Sequence, residues 1–92
     1  MMPNVRVPSM LRPTVGGERS VVAEGSTLGE LIRNVDQRHP GFAGQLLDVG
    51  GAQRPFVNIY VNDEDVRYLD GLDTAVSPGD VISILPAVAG GS

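Results

Sequence analysis

Apolar residues alternate with polar ones in four stretches of this chain. Val5 and Val7 flank Arg6, Val21 and Ala23 fall within residues 19–24, and Val57, Ile59 and Val61 interleave with Phe56, Asn58 and Tyr60. A period of two is the mark of a strand with one buried face. In the last stretch, residues 80–85, Ser83 identifies the exposed side, so Ile82 and Ile84 should point inward and Val81 and Leu85 outward. Between the second and third stretches the period changes. Leu28, Leu31, Ile32 and Val35 follow the i, i+3, i+4, i+7 spacing of one helical face, with Glu30, Arg33, Asp36 and Gln37 on the other side. Thr27 and Glu30 match a capping box in which each side chain satisfies a backbone donor at the helix start. Pro40-Gly41 ends the helix and leaves His39 in its last turn, where an imidazole complements the helix dipole.

The remaining segments read less regularly. Residues 8–17 suggest a loop or hairpin with Met10 and Leu11 in the core and Gly16-Gly17 as the turn. Phe42, Leu46 and Leu47 suggest a short second helical turn at the core edge, and Gly50-Gly51 a surface loop. Asn62-Asp63-Glu64-Asp65 reads as a turn leading into a short strand at Val66-Arg67, residues 71–74 as irregular, and Ser77-Pro78-Gly79-Asp80 as a tight turn into the final strand. The order β-β-α-β-β-β predicts an α+β protein in which a mixed sheet of about five strands packs on one main helix. First and last strands that both carry a buried face share that core most simply when they run parallel at the centre of the sheet, as in a β-grasp. Residues 1–86 then form the domain, and residues 87–92 a flexible tail.

Composition narrows the function. Ninety-two residues make one small domain. With no cysteine and a single histidine, thiolate metal sites, cysteine nucleophiles and histidine clusters are excluded. A net charge of −4 argues against nucleic acid or an anionic membrane as partner and favours basic protein surfaces. No apolar h-region opens the chain and no run is long enough to span a bilayer, so the cytoplasm is the expected compartment. Asp63-Glu64-Asp65 could hold a cation, but adjacent carboxylates on a turn are ordinarily solvated, and no metal site is expected.

The chemistry concentrates in Ala87-Val88-Ala89-Gly90-Gly91-Ser92. Two residues without side chains can enter a slot too narrow for a Cβ. A carboxylate on Gly91 would be ionised at neutral pH and able to attack the α-phosphate of ATP. Gly/Ser ends are also common as frayed termini. Every basic side chain is arginine and lysine is absent, so the chain cannot build isopeptide-linked chains of itself through side chains.

These residues resemble a known family. Residues 56–67, Gly71-Leu72, Pro78-Gly79-Asp80 and Leu85-Pro86-Ala87-Val88-Ala89-Gly90-Gly91, together with Met10-Leu11-Arg12-Pro13, look like the ubiquitin-like sulfur carriers of the ThiS/MoaD superfamily, most of all the CysO branch. The resemblance implies that an E1-like activating enzyme of the MoeZ or ThiF type adenylates Gly91 with ATP and Mg²⁺, and that sulfur delivery then yields a thiocarboxylate. The carrier itself catalyses nothing and binds no cofactor. The implied acceptors are biosynthetic enzymes such as a pyridoxal-phosphate-dependent cysteine synthase or a thiosugar synthase, and a zinc metalloprotease would process the tail. Ser92 departs from the pattern and must be removed before adenylation. Two alternatives remain open: the small subunit of molybdopterin synthase, and a ubiquitin-like protein modifier. For partner recognition the expected surface is an apolar patch of Phe56, Tyr60 and Leu85 on the sheet face opposite the helix, rimmed by Asp63 and Glu64.

Overall fold

The computed structural model describes residues 2–86. Strand β1 (Asn4–Arg6) leads into a 3₁₀ helix (Ser9–Val15) and β2 (Ser20–Val22), followed by helices α1 (Leu28–Arg38) and α2 (Phe42–Leu46). Strands β3 (Val57–Val61) and β4 (Glu64–Asp65), two 3₁₀ turns (Val66–Tyr68 and Gly71–Asp73) and β5 (Val81–Pro86) complete the order. The expected tail, residues 87–92, lies outside the described residues.

One mixed sheet runs β2-β1-β5-β3-β4. Its first and last strands are parallel neighbours at the centre, and the other pairings are antiparallel. Register explains the core. Val5 sits opposite Val21 and Ile82, while β3 sets Ile59 opposite Ile84 and Val61 opposite Ile82. These side chains share one face and are buried together with Leu28, Leu31, Ile32 and Val35 of α1, each burial contributing roughly 1.5–3 kcal/mol. This is the β-grasp that the pattern predicts. No helix among the described residues is long and apolar enough to cross a membrane.

Helix α1 is started by the expected pair, with one change of partner. The Thr27 hydroxyl accepts the Glu30 N–H at 3.3 Å, but the Glu30 carboxylate reaches back to the Ser26 N–H, at 2.9 Å, rather than to Thr27. Residues 26–28 are bridged to 74–76 through Leu28 N–H to the Thr74 carbonyl and Val76 N–H to the Ser26 carbonyl. That bridge holds Thr27 extended and leaves Ser26 within reach. At the other end Asp36, expected on the solvent side, turns inward to accept the Gly41 and Ala43 N–H groups at 3.1 and 2.9 Å. It supplies α2 with the cap that Gly41 lacks.

Four local expectations change. Residues 8–17 form no hairpin: they wind into the 3₁₀ helix, which buries Leu11 and Val15 and leaves Met10, a third of a turn away, 70% exposed. Phe56 is not the first residue of β3, because Pro55 and Phe56 occupy a turn closed by Val57 N–H donating to the Arg54 carbonyl at 3.1 Å. The strand expected at Val66-Arg67 is a 3₁₀ turn, and pairing falls instead on Glu64 and Asp65. Asn62 (φ 50°) and Asp63 (φ 71°) are both left-handed, giving a two-residue hairpin that lets Glu64 resume pairing directly opposite Val61. The Asp65 carboxylate then accepts the Arg67 N–H at 2.8 Å and bends the chain away, burying Val66. Lastly, β5 runs one residue past the expected 80–85, to Pro86, which lies opposite Val57.

Candidate functional site

The central position of β5 decides where the chain emerges. Its first half is paired with β1, up to Ser83, and β3 stays paired with it as far as Pro86, at the end of the described chain. Proline supplies no N–H, and at Pro86 only β3 pairs with the strand, so one side needs no donor. The Gly90-Gly91 pair and the rest of the expected tail fall outside the described residues.

On the sheet face away from α1, side chains of three strands form a row. Arg6 and Tyr60 both lie opposite Ser83, from β1 and β3, and Asn58 lies opposite Leu85. Here the surface dips into an open groove of about 400 Å³ lined by Arg6, Val7, Tyr60, Asp63, Ser83 and Leu85, with Pro8 and Ile84 alongside. Tyr60 is half-buried and Leu85 53% exposed. Of the residues expected to form one patch, the groove joins Tyr60, Leu85 and Asp63. Phe56 stands apart at the corner of its turn, 62% exposed, and Glu64 is exposed on the edge strand without lining the groove.

Sequence reasoning missed Arg6 and Ser83 as part of this surface. Alternation with Val5 and Val7 already puts Arg6 on the outer face, but only the parallel β1/β5 pairing brings it beside Ser83 and, across that residue, Tyr60. The groove therefore presents an arginine and an aspartate around an apolar floor. A partner filling it needs an apolar group flanked by both charges. Among the described residues, no group of three or more His, Cys, Asp or Glu side chains is arranged to hold a metal ion.

The architecture is that of a ubiquitin-like β-grasp protein, with the C-terminal strand at the centre of the sheet. The chain belongs to the ThiS family, whose profile matches residues 5–91. It is 51% identical over 89 residues to the sulfur carrier protein CysO of Mycobacterium tuberculosis, covering 95% of this chain and 96% of that protein. It is 38% identical over 80 residues to small archaeal modifier protein 3 of Haloferax volcanii, covering 84% and 86% of the two chains. Among solved structures, a chain of the Amycolatopsis orientalis BexX/CysO complex superposes with a TM-score of 0.91 at 47% identity, over 97% of this chain and 99% of that one. These relatives are carriers and modifiers by name, and the chain is a carrier-type protein rather than an enzyme.

Proposed function

We propose that this protein carries sulfur as a thiocarboxylate on Gly91. The observation that carries the reading is the 51% identity to a sulfur carrier along 95% of the chain, supported by a family profile that extends through residue 91. An E1-like enzyme using ATP and Mg²⁺ adenylates the Gly91 carboxylate: a carboxylate oxygen bonds to the α-phosphorus and pyrophosphate leaves. Hydrosulfide then attacks the acyl carbon, AMP departs with the electron pair of the broken C–O bond, and loss of the sulfur's proton leaves the thiocarboxylate. The competent form ends at Gly91, so Ser92 is removed first, by a zinc metalloprotease of the kind that processes such tails. Acceptance of the sulfur falls to a biosynthetic enzyme, a pyridoxal-phosphate-dependent cysteine synthase or a thiosugar synthase. The solved BexX/CysO complex supports the view that such a carrier docks a partner protein. Dependence on ATP and a soluble activating enzyme assigns the cycle to the cytoplasm.

The test is intact mass after incubating the form ending at Gly91 with ATP, Mg²⁺, the activating enzyme and a sulfur donor. One oxygen-to-sulfur exchange is expected, and none with Ser92 attached. A second reading, as a modifier ligated to lysines of target proteins, draws on the 38% identity to the archaeal modifier. It predicts Gly91-dependent conjugates of high mass in cells, which a carrier alone does not form.

A further inference from the structure

Arg67 has a role that composition does not suggest. It follows the buried Val66 in the turn after β4, yet its guanidinium reaches back across β3. One terminal nitrogen donates to the Asn58 side-chain oxygen at 2.6 Å. The other donates to the carbonyls of Arg54, Pro55 and Val57 at 3.0, 3.3 and 2.7 Å. Three of these four acceptors are backbone atoms of the turn 54–57. Pro55 stiffens the same turn by fixing its own φ, and the Gln53 side chain adds a 2.7 Å hydrogen bond to the Val57 carbonyl. At its corner stands Phe56, an exposed aromatic side chain on a backbone tied from three directions.

The turn's location gives this clamp a use. Val57 is the register partner of Pro86, so Phe56, one residue earlier on an antiparallel strand, stands level with the point where the chain leaves the sheet. Five residues separate Pro86 from the end of Gly91, and even fully extended they reach at most about 17 Å. An enzyme that takes the Gly91 carboxylate into its active site must therefore bring its body up to the base of the tail, against Phe56. An aromatic ring on a fixed backbone offers a contact of large area and has only its own side-chain torsions left to order.

We infer that Arg67 is a positioning residue for activation: it fixes the 54–57 turn so that Phe56 is a preformed contact for the adenylating enzyme at the base of the tail. This rests on the reading of Gly91 as that enzyme's substrate. The experiment measures pyrophosphate release against concentration for the form ending at Gly91, comparing wild type with Phe56→Ala, Arg67→Met, Arg67→Lys and the double variant Phe56→Ala/Arg67→Met. Each is shown by circular dichroism to be folded at the assay temperature. Phe56→Ala is expected to raise KM about tenfold, the scale of a lost aromatic anchor, with kcat within about twofold because the reacting atoms are untouched. Arg67→Met should raise KM in the same way, and the double variant should be no worse than Phe56→Ala, since both changes remove one contact. Arg67→Lys keeps the charge but cannot span three carbonyls and Asn58. Its KM should follow the methionine variant, whereas a wild-type KM would mean the enzyme reads the charge and would overturn the inference. Multiplicative effects in the double variant, or single variants that match wild type, would overturn it too. Failure of the wild-type chain to be activated at all would instead remove the underlying reading of Gly91.

Discussion

The Asn62 side-chain amide donates to the Asp80 carboxylate at 2.9 Å, joining the β3–β4 hairpin to the start of β5 across eighteen positions of sequence. Both residues are fully engaged. The Asn62 side-chain oxygen accepts the Val81 N–H at 3.0 Å, and the other Asp80 oxygen accepts the Ser77 N–H at 2.8 Å. Asn62 also occupies a left-handed backbone position, which asparagine tolerates better than most residues.

Asn62→Ala should therefore lose twice, through the backbone and through the clamp. We expect destabilisation of about 2–3 kcal/mol, read as a lower urea midpoint with unchanged slope. Asn62→Gly separates the two contributions, because glycine relieves the backbone without restoring either hydrogen bond. It should fall between alanine and wild type. An alanine variant as stable as wild type would show that the clamp contributes nothing.

Phe42 and Met10 make a paired prediction about the core. Phe42, the first residue of α2, is fully buried, whereas Met10 is 70% exposed on the 3₁₀ helix. Phe42→Ala should cost about 3–5 kcal/mol, and Met10→Ala within about 0.5 kcal/mol of nothing. Thermal denaturation of the two variants settles both, and a large loss at Met10 would contradict the observed exposure.

That pair also marks where the sequence is readable. Strands β3 and β5 and helix α1 show their inner faces through plain periods of 2 and 3.6, and those faces, with the parallel first and last strands, already imply the β-grasp. The segment around Met10 has no such period, because Pro8 and Gly16 bound a 3₁₀ helix, with Pro13 inside it, whose few turns set which apolar residue is covered. Leu11 and Met10 are equivalent in composition and opposite in burial. The site divides in the same way. Tyr60 and Leu85 belong to the outer face by alternation alone, whereas Arg6 joins them only through strand pairing. Phe56 leaves the strand because Pro55 makes a turn, and the Arg67 clamp on that turn depends on where β4 ends, which the two-residue hairpin at Asn62-Asp63 shifts by two positions.

Gly25 tests how closely β2 and α1 are joined. A Cβ there would lie 2.6 Å from the Leu31 backbone nitrogen, an atom of the helix itself that cannot move without disturbing its hydrogen bonds. Gly25→Ala should destabilise by about 1–3 kcal/mol through overpacking, to which a backbone φ of 157°, rarely adopted by residues with a side chain, adds. Gly44, whose Cβ would meet nothing within 4 Å, serves as the control: in the same calorimetric assay Gly44→Ala should be neutral or slightly stabilising, since alanine favours helix. Equal effects at both glycines would rule out steric contact as the cause.

The outer face offers the last prediction, concerning recognition rather than stability. Tyr60 and Leu85 line one groove with Arg6 and Asp63, on the side of the sheet that α1 leaves open. A carboxylate added at Leu85 stays solvated, because the native side chain is already 53% exposed, so Leu85→Glu should leave the urea midpoint within about 0.5 kcal/mol of wild type. In a complex, the same charge would be desolvated against an apolar partner group. Affinity for the activating enzyme should fall at least about tenfold, with Tyr60→Glu acting in the same direction at some cost in stability from its half-buried ring. Arg6→Ala addresses the charged part of the groove: it should weaken binding mainly through slower association and lose its effect as salt rises. Calorimetric titration of the folded variants measures the first two effects and stopped-flow mixing the third. Wild-type affinity in all three would place the enzyme contact elsewhere on the molecule.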